Sequence, residues 1–266
     1  DSIWLGDHLL YDVPVGPRGP WEVWTALAAL AASTERVELG PLVASTSFHA
    51  PPMLAKLAST VDAISNGRLT FGIGAGWNLR EYMAFGFPYD HRVSRFEEAF
   101  TIVRTLLAEG SIDFHGAYYN LDDSVLHPRS PRPGGPPLLV GSIGPRMQAI
   151  TLPHVSAWNV WWSDYGNTAA GFAEVKATVD DRISAIGRTG EIEATAAVYI
   201  RLPDGTGRQM GDYPNDGGAP IVGSQSEMAD QLREFADAGA SHVQLVVDPI
   251  VPASIEWLGE VVSQLA

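Results

Sequence analysis

Residues 67–78 read GRLTFGIGAGWN, and the reading of this stretch decides between two kinds of α/β protein. Its core, Gly72-Ile73-Gly74-Ala75-Gly76-Trp77, approaches the G-x-G-x-x-G turn that holds a dinucleotide pyrophosphate, but Trp77 stands where the third glycine belongs. The alternation is instead that of a strand. Leu69, Phe71, Ile73 and Ala75 fall on one side, and Thr70, Gly72, Gly74 and Gly76 on the other. Small residues along one face suit a strand that lines a crowded barrel interior.

Working outward, PPMLAKLASTVDAISNG precedes this strand as a helix opened by Pro51 and Pro52. Its Leu54, Leu57, Ala58, Val61 and Ile64 recur at helical spacing, and Gly67 is its natural stop. Upstream lie a strand from Val37 to about Ser45, an alanine-rich helix and a loop over Val13–Pro20. A first strand spans Ser2–Gly6. Downstream, a loop of aromatic and proline residues leads to the helix VSRFEEAFTIVRTLLAEG, with Phe96, Phe100, Val103 and Leu107 facing inward. A hairpin (IDFHGAYYNLDD) and a proline-rich linker follow, then the strand PLLVGS and a helix with Pro145 at its first position. The strands SAWNVWW, EATAAVYIRL and HVQLVVDP alternate with three more helices. The helix after Ser224 carries a capping box to Glu227, and Pro203–Ala219 reads as a lid-like loop.

Strand and helix therefore alternate seven times. Short apolar strands in that order form a parallel sheet covered by helices, and both a doubly wound sheet and a (β/α)8 barrel satisfy the pattern. The abrupt opening on a strand leads us to expect a further strand and helix upstream. Eight units favour a (β/α)8 TIM barrel with insertions, formed by residues 1–266 as one domain.

Composition narrows the function. The formal net charge of −14 argues against nucleic acid as a partner, while leaving room for an anionic cofactor held by local N–H groups and a few cations. With no cysteine, disulfides, thiol catalysis and thiolate metal sites are out. The seven histidines are scattered without an H-x-H or H-E-x-x-H pair, so no metal centre is expected. No apolar run has the length of a membrane span, so a cytoplasmic protein acting on a small molecule is the expectation.

In barrels of this kind chemistry gathers at the C-terminal ends of the strands. Those ends are Asp7-His8, Val43–Thr46, Ala75–Asn78, Gly141–Arg146, Asn159–Trp162, Arg201 and Asp248. The run Ser142-Ile143-Gly144-Pro145-Arg146 joins strand, tight turn, helix start and a cation, which favours an anion site over a merely tight turn. Asp7 and His8 read either as acid/base or cofactor-anchoring groups, or as a loop cap beside a half-buried histidine. Trp158, Trp161, Trp162 and Tyr165 read either as the wall of an apolar pocket or as packing beneath a helix.

Taken together, DSIWLGDHLL, TERVELGPLVAST, VDAISNGRLTFGIGAGWNLREYMAFGFPYDHRVSRFEEAF, LLVGSIGPRM and SAWNVWW resemble the bacterial-luciferase-like family of flavin- or deazaflavin-dependent oxidoreductases. The resemblance runs over essentially the whole chain and is closest to members that use coenzyme F420. It implies a barrel with the cofactor across the strand C-termini and, often, a homodimer. Asp7 and His8 would flank the cofactor ring, with His8 the catalytic candidate. A non-proline cis peptide at Leu42-Val43 would press on the ring, Ala75, Gly76 and Trp77 would touch it, and Ser142 to Arg146 would take the phosphate. Sugar-phosphate dehydrogenases of this kind carry a glutamate acid where this chain has Trp77, so that reaction is not expected here. The alternatives are an FMN-dependent monooxygenase and a flavin-binding barrel without catalysis.

Overall fold

A computed structural model describes residues 1–13, 16–207 and 217–265, which group into two compact units, Asp1–Ser156 and Ala157–Ala266. In the first unit β1 (Ser2–Leu5) is followed by a small antiparallel pair, β2 (Tyr11–Val13) and β3 (Gly16–Arg18), in what the sequence suggests is a loop. Then come α1 (Val23–Ser33), β4 (Glu38–Pro41), β5 (Ala44–Ser45), α2 (Pro51–Ile64), β6 (Phe71–Gly74), α3 (Leu79–Phe85) and α4 (Arg92–Glu109). The expected hairpin is present as β7 (Ser111–His115) and β8 (Asn120–Val125), and β9 (Leu138–Val140) leads into α5 (Pro145–Thr151). The main strands pair in parallel, β1 with β4 and β6 with both β5 and β9.

The strand expected from Val37 to about Ser45 is split into β4 and β5 at Leu42-Val43, whose peptide bond is cis, as the family resemblance implies. The sequence reading departs from the structure in the segment taken for an aromatic and proline loop, which contains α3. Its start is capped by Asn78, whose Oδ1 accepts from Arg80 N at 3.1 Å, and its end by Gly86 at φ +77°.

The glycines of β6 now have a physical reason. A Cβ on Gly72 would run into the Pro41 carbonyl oxygen, and one on Gly74 would stand 2.8 Å from Val43 Cγ2. Gly141, after β9, makes the same allowance: a Cβ there would lie 2.7 Å from Val43 Cγ1. Three glycines thus form a seat for one valine, and the space a Cβ would need is already occupied. Below this seat, at the N-terminal end of β6, the fully buried Asp62 accepts from Leu69 N (3.2 Å), from the Ser130 hydroxyl and from Arg132 Nη2 (2.5 Å).

In the second unit β10 (Ala157–Val160), β11 (Glu193–Arg201) and β12 (His242–Asp248) form a parallel sheet in that order, with α6 (Ala169–Ala185), α7 (Gln225–Asp237) and α8 (Pro252–Leu265) between and after them. The Ser224–Glu227 capping box starts α7 as expected. Of the expected lid over Pro203–Ala219, residues 208–216 lie outside the described residues. No helix among the described residues is long and apolar enough to cross a membrane, and none of their His, Asp and Glu side chains gather in threes able to hold a metal ion.

Candidate functional site

The first unit brings the C-terminal ends of β1, β5 and β6 together. Asp7, just past β1, is 4% exposed and accepts a hydrogen bond from Ser45 N at 2.8 Å, which ties the end of β1 to the end of β5. Burial pushes its carboxyl up to about 7, beyond what the Ser45 N–H and the neighbouring His8 can offset, and Glu22 and Glu81 add to the rise. Such a group changes charge near neutral pH, unlike an ordinary aspartate.

His8 is the centre of the cluster. Its Nδ1 lies 3.0 Å from Oε2 and 3.2 Å from Oε1 of Glu81, with the two side chains 15% and 1% exposed. The ring sits 4.8 Å from that of Tyr11 and meets Trp77 edge-on at 5.5 Å. The Glu81 carboxylate also accepts from Leu9 N (2.5 Å) and Leu10 N (3.1 Å). Burial works to raise the Glu81 carboxyl, but the His8 hydrogen bond and charge, with these two N–H groups, hold it below the usual glutamate range. The sequence reading missed Glu81 because it lies on α3. Its signal was present in Asn78-Leu-Arg-Glu81, a cap residue with a carboxylate three positions on.

Ala75, Gly76 and Trp77 follow β6 as expected and are half-buried. Their carbonyls are held from behind: Ala75 O by Tyr82 Oη (2.6 Å), Gly76 O by Arg92 Nη1 (2.9 Å) and Trp77 O by Tyr89 Oη (3.5 Å). Gly76 takes φ +74°, and a Cβ there would collide with the Tyr82 hydroxyl. Leu42 and Val43 are half-buried, and the Val43 seat links this cluster to Gly141 at the foot of the expected phosphate turn.

In that turn Ser142, Ile143 and Gly144 are half-buried, and Pro145 and Arg146 are exposed. Gly144 N–H approaches Ser142 Oγ at 3.4 Å, and Pro145 opens α5 as read from the sequence. Arg146 does not lie folded over the turn. Its Nη2 donates to Ser94 Oγ (2.9 Å) and Glu97 Oε2 (3.2 Å) on α4, with 59% of the side chain exposed.

Of the four aromatic residues near β10, Trp158, Trp162 and Tyr165 resolve in favour of packing, while Trp161 is half-buried. Trp158 stacks on Phe172 (5.8 Å, 19°), Trp162 packs against Tyr199 (5.0 Å), and Tyr165 is buried with its hydroxyl on Ala197 O (2.8 Å). Asn159 is likewise buried, donating to Thr195 Oγ1 (2.9 Å) and Gln244 Oε1 (2.8 Å). Asp248 accepts from Gly207 N at 2.8 Å, and Arg201 is exposed.

Residues 1–204 match the family described as luciferase-like monooxygenase. The chain belongs to that family. Among its luciferase-like relatives is an F420-dependent glucose-6-phosphate dehydrogenase from Amycolatopsis mediterranei (strain U-32), 32% identical over 54% of this chain and 44% of the relative. Another is the pyrimidine monooxygenase RutA of Pseudomonas syringae pv. syringae (strain B728a), 30% identical over 70% of this chain and 51% of the relative. The chain thus spans about half the length of these curated relatives. A solved F420-dependent secondary alcohol dehydrogenase, in complex with an F420-acetone adduct, superposes with a TM-score of 0.83 at 18% identity, over all of this chain and 90% of that one. The luciferase-like α/β barrel class expected from the sequence is the fold of this protein.

Proposed function

We propose that this luciferase-like oxidoreductase binds coenzyme F420 and moves a hydride between that deazaflavin and a small organic substrate. The observation that carries the reading is the convergence, at three strand ends, of a histidine pinned by a buried carboxylate with the half-buried surface of Val43, Ala75 and Trp77. The relative named for F420 dependence supports the choice of cofactor. Trp77, in place of a glutamate acid, weighs against a sugar phosphate as substrate.

The residues present fit such a cofactor. Val43, Ala75 and Trp77 supply an apolar and aromatic wall for a planar ring. The Ser142–Arg146 turn has room for an anion, since a Cβ on Gly144 would meet nothing nearer than Ser142 Oγ at 3.7 Å. Arg146 would reach a phosphate there by exchanging the Glu97 carboxylate for it, a small loss because exposed ion pairs contribute about 0–1 kcal/mol. When bound, F420 supplies a carbon centre that takes or gives a hydride, and the protein positions it. His8 holds the accompanying proton, Asp7 presents a carboxyl that titrates near neutrality, and Trp77 with Val43 keeps water from the reacting face.

Titration of the purified protein with F420 and with FMN tests the proposal. Tight binding of F420 with weaker binding of FMN supports it; tight FMN binding without affinity for F420 overturns it. The latter result would favour an FMN-dependent monooxygenase, the reading to which the RutA relative lends support.

A further inference from the structure

We propose that Glu81 is a positioning residue that fixes His8 in the tautomer with its hydrogen on Nδ1, leaving Nε2 as the ring atom that exchanges a proton with the substrate. The proposal rests on the reading of His8 as a cofactor-side residue.

An ionised carboxylate only accepts hydrogen bonds, so the ring nitrogen 3.0 Å from Glu81 Oε2 must be the one that carries hydrogen. Glu81 cannot easily turn away. Its Oε1 is held by Leu9 N and Leu10 N, the two residues after His8, so the backbone that carries the histidine wraps the carboxylate that orients it. From α3 the clasp is reinforced by Asn78, whose Nδ2 donates to Leu10 O at 3.1 Å while its Oδ1 caps the helix. Tyr11 and Trp77 lie against the ring and limit its rotation. The charged and titratable groups around His8 are Asp7 on its own segment, Tyr11 on β2 and Glu81 on α3. Of these, Glu81 is hydrogen-bonded to the ring, through Nδ1.

The consequence for chemistry is a division of labour within one imidazole. As a substrate heteroatom loses its proton, the bond to that hydrogen breaks and an Nε2–H bond forms. The resulting imidazolium is balanced by the Glu81 carboxylate 3.0 Å from its other nitrogen. In the reverse direction Nε2 returns the proton. Glu81 touches neither substrate nor cofactor and acts only through the ring.

Glu81→Gln makes a sharp test. Its carbonyl oxygen can still accept from Leu9 and Leu10, which sets the amide N–H2 opposite Nδ1, where a donor now faces a donor. The ring must then move its hydrogen to Nε2. Ring 15N shifts of the neutral His8 imidazole report this directly, without cofactor or turnover. The unsubstituted protein should show hydrogen on Nδ1 in the neutral ring. Glu81→Gln should show it on Nε2. Glu81→Asp, which keeps the charge, should retain the Nδ1–H pattern and guards against a Gln variant that fails to fold. Hydrogen on Nε2 in the unsubstituted protein, or the same pattern in the Gln and unsubstituted forms, overturns the proposal. Binding of F420 and FMN by the unsubstituted protein is measured in parallel. Loss of both with the expected ring shifts would sink the cofactor reading while upholding the role of Glu81.

Discussion

The buried Asp7 carboxyl offers a prediction whose size follows from its environment. An aspartate ordinarily titrates at 3.8, and burial raises Asp7 to about 7, a rise of about three units. Each unit corresponds to about 1.4 kcal/mol, so the linked free energy is about 4 kcal/mol. The sign follows from proton counts. Between about pH 4 and pH 7 the folded chain keeps a proton on Asp7 that the unfolded chain has released, so stability falls as pH rises through this window and levels off above it. Asp7→Asn keeps a carbonyl oxygen for the Ser45 N–H and has no charge to bury. Urea unfolding of both proteins at pH 4, 5.5, 7 and 8.5 reads the effect, because titrating groups that do not interact with Asp7 cancel in the difference. The variant should gain on the parent by about 4 kcal/mol from the lowest to the highest pH. Parallel stability curves would refute the reasoning, since Asp7 would then be solvated or paired more strongly than its burial implies.

The glycine seat for Val43 predicts an ordering. Gly74→Ala should destabilise by about 1–3 kcal/mol, because its Cβ meets a valine methyl that can shift, and Gly72→Ala by more, because its Cβ meets the Pro41 carbonyl. Val43→Ala should rescue the first and not the second in a double-mutant cycle of unfolding free energies; equal rescue of both would contradict the seat. Beneath it, Asp62→Ala takes the carboxylate away from Arg132 and Ser130 and leaves the buried Leu69 N–H without its acceptor. That change should cost about 3–5 kcal/mol by thermal or urea unfolding, and a loss under 1 kcal/mol would show the network to be dispensable.

Much of the fold was legible because the sequence repeats one instruction. Short apolar strands, glycine stops and proline starts mark each βα unit, and the Ser224–Glu227 box is visible as letters. What stayed hidden was local and short. At seven residues, α3 is too brief for helical periodicity to stand out, and phenylalanines, glycine and proline crowd its exit. With α3 went Glu81, the partner that turns His8 from an ambiguous residue into an oriented one. The aromatic residues near β10 could not be assigned from letters because a pocket wall and a core share the same composition. Phe172 and Phe235, brought against Tyr165 by α6 and α7, decide for core. Arg146 shows the opposite lesson: the turn is where the sequence put it, yet the side chain is held by Ser94 and Glu97.

The central claim is that the strand ends of the first unit hold a deazaflavin. The most direct measurement is the identity, by mass spectrometry and absorption, of the cofactor that co-purifies when the protein is produced in a host making both F420 and FMN. Coenzyme F420 retained in near-equal molar amount is the result this account predicts. FMN in its place, with F420 unable to displace it, would contradict the account.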